Sequence, residues 1–462
     1  MSFAQKARYL LKSFAVETIA LRYFLSLQKT QWWSVKRLKR LQERRLRFIL
    51  EHAYNSVPYY RRIFHDKNLK PEDFCSVEDL VRLPIVTKDD IRQHFSEFVA
   101  CNSQHYYPVP TATGGSTGEP LRFFIDMGSA GIGAAVLWRG WGYAGYKFGD
   151  KMAVLAGLSL VSGKENLLRA AAKKVAKRMV GFPAMNLRKE ILDVYMKHMI
   201  EFKPKFIRGY PSSIYFFADF LKDEGIDLIC PRAVLTTAEM LLLYQRKLIE
   251  EVFQCDVFDG YGAFDGGTAA FECEGHCGYH MAVEKVVMEF VDEDGNPVAE
   301  GEKGRIIATD LFNYAMPFIR YDTGDVGVYS DEECSCGRRL ALMKKILGRT
   351  TDILQFKTGA VLSGPSLTLI FKDFDIRQYQ VVQTGGDSMV VKIVKGKTYS
   401  ERDTERIYHV FKDAVGDEVE VKFESADYIP HARLDIADWV NQMQKNLFWK
   451  RVRAIIRHGG RK

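Results

Sequence analysis

Between residues 152 and 259 strand-like and helix-like runs alternate, and that order limits the folds open to this chain more than any other feature. Residues 152–158, 206–208, 233–237 and 256–259 are short, mostly apolar and strand-like. Residues 167–179, 188–202, 212–224 and 241–253 carry apolar residues at helical spacing. A β-α-β-α order implies a largely parallel sheet covered by helices. Functional loops are then expected at the carboxyl ends of the strands.

The flanking segments have a different grammar. Residues 34–53 predict an amphipathic helix, with Leu38, Leu41, Leu46, Ile49 and Leu50 on one side and arginines on the other. Val57-Pro58-Tyr59-Tyr60 is expected to end it, because proline disfavours helix before itself. After Val283 the pattern turns to hairpins, with 286–291 and 303–310 flanking the turn Asp294-Gly295-Asn296-Pro297. Beyond Gly348 a small α+β unit is predicted: a hairpin of 376–383 and 388–394, a helix over 401–415 and a strand over 418–423. A chain of 462 residues exceeds the size at which single cores stop growing. The expected class is α/β, and the expected division is an amphipathic extension (1–33), a large domain (34–350), a small domain (351–435) and a basic tail (436–462).

Charge enters through its distribution. The net charge is +8, and residues 36–47 and 445–462 hold much of the excess. The tail mixes Trp439, Phe448 and Trp449 with lysines and arginines, a pattern that suits an anionic bilayer surface. The same binding is one reading of residues 1–33; docking on the protein is the other. No recognisable nucleic-acid fold accompanies the tail. There is no uninterrupted apolar run of spanning length and no clear leader, since Arg8, Lys12, Glu17 and Arg22 interrupt the first residues. The expected location is cytoplasmic, with peripheral attachment to the inner face of the membrane as the alternative.

In a reducing compartment eight cysteines argue for thiols or metal, not disulfides. Cys273 and Cys277 form one close pair and Cys334 and Cys336 another, far apart in sequence. Two such pairs suit a closed tetrahedral zinc site, with His280 as a substitute for one of the first pair. Four scattered cysteines, Cys75, Cys101, Cys230 and Cys255, read as structural.

Thr111-Ala112-Thr113-Gly114-Gly115-Ser116-Thr117-Gly118-Glu119-Pro120 lies between two strand-like runs, 105–110 and 121–125. Its bare N–H groups and hydroxyls suit the phosphates of a nucleotide, although it lacks the Gly-Lys-Ser/Thr of a Walker loop. A plain hairpin turn is the simpler reading. Gly131-Ile132-Gly133 only partly echoes a dinucleotide fingerprint. Trp138, Trp141, Tyr143 and Tyr146 read as core packing, with the border of an aryl pocket as the alternative.

Four further motifs follow that loop in order: Thr236-Thr237-Ala238-Glu239, Asp259-Gly260-Tyr261-Gly262-Ala263-Phe264-Asp265, Arg320-Tyr321-Asp322-Thr323-Gly324-Asp325 and Gly348-Arg349-Thr350-Thr351-Asp352. Together the five resemble the motif ladder of the adenylate-forming superfamily of acyl-CoA synthetases. The likeness is to its phenylacetate–CoA ligases and the capsular-polysaccharide-biosynthesis proteins similar to them, and it runs from about Leu41 to about Pro430. The resemblance implies a large adenylate-forming domain followed by a small mobile α+β domain. It implies activation of a small carboxylic acid by ATP and Mg²⁺, with transfer to an acceptor such as coenzyme A.

By the same resemblance Thr113, Gly115, Ser116, Thr117 and Gly118 hold phosphate, Ala238 and Glu239 line adenine, Tyr261 stacks on it, and Gly262 belongs to the same nucleotide-binding set. Asp325 and Arg349 clamp the ribose. Thr117, Asp265 and Arg349 are the implied catalytic residues, with Asp265 as the magnesium carboxylate in place of the family's usual glutamate. Some relatives in this branch carry a zinc site similar to the one read above from the cysteines.

Two positions depart from the family. Thr350-Thr351-Asp352 replaces the usual hinge pair of aspartates, and Ile429-Pro430 is followed by His431-Ala432-Arg433 instead of a Ser-Gly-Lys turn. Loss of an electrostatic stabiliser of a transition state typically costs about 10²–10³ in rate. The departures keep two other functions open: adenylyl transfer to a hydroxyl group, and a nucleotide- or acyl-binding scaffold in envelope-polysaccharide assembly.

Overall fold

The structure is a computed structural model that describes residues 3–113, 121–156, 178–183, 189–349, 353–356, 361–363, 367, 370–371, 374–396, 398–426 and 429. Its N-terminal part is helical: α1 (Phe3–Thr30), α2 (Val35–Ser56), α3 (Pro58–Asp66) and the short α4 (Lys88–Gln93) and α5 (Phe95–Phe98). Leu38, Leu41, Leu46, Ile49, Leu50 and Ala53 of α2 are buried, as its pattern predicts. Pro58 does end α2, but it also opens α3 at that helix's first position, where its missing N–H costs nothing.

A hairpin of β1 (Val109–Ala112) and β2 (Arg122–Ile125) leads into α6 (Met127–Tyr143). Residues 103–106 form a 3₁₀ turn, so the first strand begins later than the sequence suggests. Asp126 caps α6 by accepting the Ser129 N–H at 2.7 Å.

The alternating region gives β3 (Met152–Ala156), β4 (Met179–Pro183), α7 (Lys189–Phe202), β5 (Phe206–Gly209), α8 (Pro211–Asp223), β6 (Ala233–Thr237), α9 (Leu243–Phe253) and β7 (Val257–Gly262). All five strands are mutually parallel where they pair. β4 begins at the last residue of the expected helix 167–179, whose residues 167–177 lie outside the described residues. Gly181 and Pro183 look like breakers, yet proline is tolerated here because β4 is the sheet's edge strand.

The hairpin region does not build a separate layer. β8 (Ala269–Glu272), β9 (Tyr279–Met281), β10 (Val286–Val291), β11 (Lys303–Asp310), β12 (Tyr321–Ser330) and β13 (Leu342–Arg349) continue the same sheet antiparallel to β7. Among the described residues the sheet has 11 strands in the order β10-β11-β12-β13-β9-β8-β7-β6-β5-β3-β4. One face of the parallel half packs α7, α8 and α9 around Leu155, Ile207, Phe217, Val234, Ile249 and Phe253. The other face packs α6 through Trp141 against Val154, Phe206, Leu235 and Phe258.

β14 (Ile353–Gln355) and β15 (Val361–Ser363) pair with each other. β16 (Ile376–Gly385), β17 (Ser388–Lys395), α10 (Glu401–Val415) and β18 (Glu420–Ser425) form the small α+β unit, with β18 parallel to β17. Met389, Val391, Ile393, Ile407, Phe411 and Val421 give it a core of its own.

Candidate active site

The parallel strands end where the motifs lie. β6 finishes at Thr237, and the next residue, Ala238, holds φ at +69°. That left-handed conformation is uncommon for a residue with a Cβ and turns the chain sharply away from the sheet. Glu239 Oε2 accepts the Ser212 N–H in the first turn of α8 at 3.1 Å, which ties the ends of β5 and β6 together.

β7 finishes at Tyr261 and Gly262. The Tyr261 hydroxyl donates to Asp325 Oδ2 at 2.8 Å, joining two motifs 64 residues apart. Burial, reinforced by the neighbouring Asp325 carboxylate, pushes the Tyr261 phenol well above its ordinary range, so it remains a donor. Thr323 Oγ1 accepts the Asp325 N–H at 3.1 Å and fixes the strand there. Asp325 lies opposite Arg349 in the β12–β13 register, so the two implied ribose residues start from adjacent backbone positions.

Asp265 sits in a 3₁₀ turn (Asp265–Gly267) and is almost buried. The Tyr321 hydroxyl donates to its Oδ2 at 2.8 Å. Gly266 and Gly267 hold φ at +73° and +68°, and a Cβ on Gly267 would lie 2.2 Å from Lys285 Nζ. Lys285 Nζ in turn donates to Gly267 O at 2.8 Å and pairs with Asp310 at 3.2 Å. The turn is therefore clamped from below, and among the described residues Asp265 Oδ1 accepts no hydrogen bond. A single oxygen of this kind fits a hard cation that keeps most of its waters.

Thr113 lies at the mouth of the Gly/Ser loop. Its N–H donates to Leu121 O at 3.0 Å, and its Oγ1 accepts the Leu121 N–H at 3.0 Å. Thr113 and Leu121 thus close the loop's two ends on each other. Gly115, Ser116, Thr117 and Gly118 lie outside the described residues, as do Thr350, Thr351, Asp352 and the tail from residue 430; of Arg349 the backbone alone is described.

The cysteines converge, with one correction. Ligand atoms of Cys273, His280, Cys334 and Cys336 all lie within 4.8 Å of one another. His280 Nε2 is 3.3 Å from Cys273 Sγ and 3.3 Å from Cys336 Sγ, and the Cys273 and Cys334 sulfurs are 3.5 Å apart. Cys277 stands outside this group, with its thiol 3.1 Å from Gly275 O. The reason is register. His280 is placed on β9 opposite Leu342 of β13, which turns its ring to the Cys334–Cys336 knuckle. Burial, with Arg338 nearby, lowers the imidazole to about 4, so it is neutral at physiological pH as a ligand must be. Three thiols and one imidazole at these separations fit a closed tetrahedral metal site.

A narrow pocket opens at the ends of β5, β6 and β7, lined by Trp141, Arg208, Thr236, Thr237, Asp259 and Gly260 among others. Arg208 was not among the residues singled out from sequence. The available signal is a lone arginine in the apolar strand Phe206-Ile207-Arg208, where a charge is rarely buried without a task. Trp141 lines this pocket and also packs in the core.

Comparison with known proteins bears on the family likeness and the fold. Residues 354–440 match the CapK C-terminal domain family. The chain is 29% identical over 326 residues to a phenylacetate-coenzyme A ligase of Thermus thermophilus, covering 69% of this chain and 72% of the relative. It is 25% identical over 422 residues to protein CapK of Staphylococcus aureus, covering 87% of this chain and 90% of that one. Among solved structures, a 2-hydroxyisobutyryl-CoA ligase in the postadenylation state superposes with a TM-score of 0.65, covering 91% of this chain and 95% of its own at 18% identity. The likeness to the phenylacetate–CoA-ligase and CapK branch therefore holds, and the large α/β domain with its small C-terminal unit has the adenylate-forming ligase fold.

Proposed function

We propose that the chain is an ATP-dependent, AMP-forming ligase that activates a small carboxylic acid and passes it to an acceptor such as coenzyme A. One observation carries the reading: the Tyr261–Asp325 hydrogen bond joins the motif implied to meet adenine to the motif implied to hold ribose. Thr237, Ala238 and Glu239 lie one strand away, and Asp265 hangs from Tyr321, four residues before Asp325 on β12.

In this reading Asp325, held by Tyr261 and Thr323, accepts the ribose hydroxyl protons. Arg349, opposite it in register, supplies positive charge on the nucleotide side. Thr113 closes the loop whose Gly115, Ser116, Thr117 and Gly118 are assigned to phosphate. Asp265 presents an oxygen to Mg²⁺, which when bound neutralises charge on the triphosphate. The acid's carboxylate enters beside Thr237 and Gly260, attacks the α-phosphorus, and pyrophosphate leaves. Zinc on Cys273, His280, Cys334 and Cys336 has a structural role, tying the segment after β8 to the segment before β13. Pyrophosphate exchange across a panel of carboxylic acids tests the reading. Exchange with at least one acid is expected; none with any acid, despite measurable ATP binding, would refute it.

One observation favours a second reading. No lysine follows Ile429-Pro430 in a Ser-Gly-Lys turn. Adenylyl transfer to a hydroxyl group would leave AMP on the product, and mass analysis of products separates the two.

A further inference from the structure

Arg208 is 8% exposed and is the last residue but one of β5, whose neighbours are core residues. Its guanidinium carries five N–H donors in a fixed fork. Among the described residues it has neither an ion pair nor a hydrogen bond; it lies over the Trp141 ring, 5.2 Å from the centroid. Burial without a counter-ion lowers it to about 10, with only Tyr210 offsetting, so it is still a cation at neutral pH.

The acidic groups of the same pocket are already matched. Asp259 takes the Thr236 hydroxyl at 2.5 Å and the Tyr279 hydroxyl at 2.8 Å. Glu272 takes Arg246 through both oxygens at 2.8 Å and the Asp259 N–H at 2.9 Å. The pocket thus presents a desolvated cation without a partner, and its own carboxylates are engaged elsewhere. Such a group is costly unless something pairs with it.

Strand register says which end of a ligand would do so. Arg208 lies opposite Leu235, whereas Thr237 lies two residues further along β6 and opposite Gly260. Two residues of rise and one strand spacing separate Arg208 from Thr237 by roughly 8 Å. Thr237 and Gly260 lead directly into Ala238 and Tyr261, the nucleotide side of the site. Arg208 therefore sits away from the carboxylate that reacts, beside the aromatic wall of Trp141.

We infer that Arg208 is a specificity-determining residue that pairs with a second carboxylate on the acid, so that the substrate class is a short dicarboxylic acid. This rests on the adenylate-forming reading for the identity of the pocket, but binding can be measured without turnover. The guanidinium fork would take the distal carboxylate through two parallel N–H···O bonds, with the linker between the two acid groups against Trp141.

The test uses the full chain and matched acids: glutarate against pentanoate, and isophthalate against benzoate, titrated calorimetrically with a non-hydrolysable ATP analogue and Mg²⁺ present. At least one dicarboxylate should bind roughly tenfold to a hundredfold more tightly than its partner, the range for a charge-assisted pair. Arg208→Met should erase that advantage and leave the monocarboxylate within about twofold, while Arg208→Lys should keep part of it. Matched acids that bind within twofold of each other in the wild type overturn the inference, and that comparison needs no variant to fold. An advantage that survives Arg208→Met also overturns it. Pyrophosphate exchange with the same acids separates the two ideas. Dicarboxylates that bind through Arg208 without exchange refute adenylation and leave the subsite standing. Exchange with monocarboxylates alone refutes the subsite and leaves adenylation standing.

Discussion

At the scale of single residues the site depends on Asp325. Its carboxylate accepts a hydrogen bond from Tyr261, and its backbone is fixed by Thr323. If it clamps ribose, Asp325→Ala should weaken binding of a fluorescent ATP analogue by roughly tenfold to a hundredfold, since hydrogen bonds to charged groups are worth about 1.5–3 kcal/mol each. Tyr261→Phe removes one neutral donor and should cost less, about twofold to tenfold. A dissociation constant unchanged within twofold in Asp325→Ala would remove Asp325 from the nucleotide site. These residues were legible in sequence because each belongs to a short motif with a fixed partner chemistry. Arg208 belongs to no such motif; its meaning comes from its burial on β5 beside the Trp141 ring of α6. Cys277 lies outside the cluster of ligand atoms, where His280, the alternative already named from sequence, stands in its place. Spacing along the chain favours it, and the β9–β13 register selects His280 instead.

At the scale of elements, Glu284 joins three helices. The Arg139 guanidinium of α6 donates to both its oxygens, at 2.6 and 3.2 Å, and Thr30 of α1 donates at 2.6 Å. Arg45 of α2 bonds its carbonyl. A Cβ at Gly131 of α6 would lie 2.4 Å from Ile19 Cγ2, so this glycine lets α1 and α6 approach and has no dinucleotide role. The sequence left α1 between a bilayer surface and the protein. It docks on the protein because small residues on α6 and the Thr30–Glu284 bond admit it. Burial would raise the Glu284 carboxyl, but the Arg139 charge and its hydrogen bonds hold it below its usual value. A depressed carboxyl contributes stability above its unfolded value, about 4.3, and loses it as pH falls through the folded value. Arg139→Met should therefore cost about 3–5 kcal/mol at pH 7.5 by stranding the carboxylate. The melting-temperature gap to wild type should narrow at pH 4, where Glu284 can take a proton. An equal gap at both pH values would show that lost packing alone explains the variant. The cysteine cluster is tested similarly. Elemental analysis of the purified protein should find about one zinc per chain, the stoichiometry of a four-ligand closed site. Cys273→Ser and His280→Ala should lose it and melt lower, whereas Cys277→Ala should keep it. Full zinc in His280→Ala would restore Cys277 as the fourth ligand.

At the scale of the molecule the legible part was the order of strands and helices, and the illegible part was how far one sheet would reach. Alternation of 3.6 and 2 periodicities marks where elements lie, but not that β8 to β13 extend the parallel strands into a single sheet. That outcome depends on β8 turning back antiparallel on β7, a pairing between Gly260–Gly262 and Ala269–Phe271 that needs two glycines where bulkier residues would collide. A Cβ at Gly260 would meet the Phe271 ring at 2.9 Å, and one at Gly262 would meet Thr268 O at 3.0 Å. The sequence reading put a change of grammar near Thr351, and the core around Met389, Val391, Ile407 and Phe411 is distinct from those under the large sheet. Distinct cores unfold as distinct cooperative units unless a large apolar interface joins them. Scanning calorimetry of the full chain should accordingly resolve two transitions, the smaller carrying the enthalpy of the C-terminal unit. The residues assigned here to adenine, ribose and Mg²⁺ belong to the large unit. ATP with Mg²⁺ at a hundred times its dissociation constant should then stabilise that unit by about 2.7 kcal/mol. The larger transition should move upward while the smaller stays in place. If both move together by the same amount, the small unit contributes to nucleotide binding even without a Ser-Gly-Lys lysine, and the residues after Ile429 become the place to search for its contact.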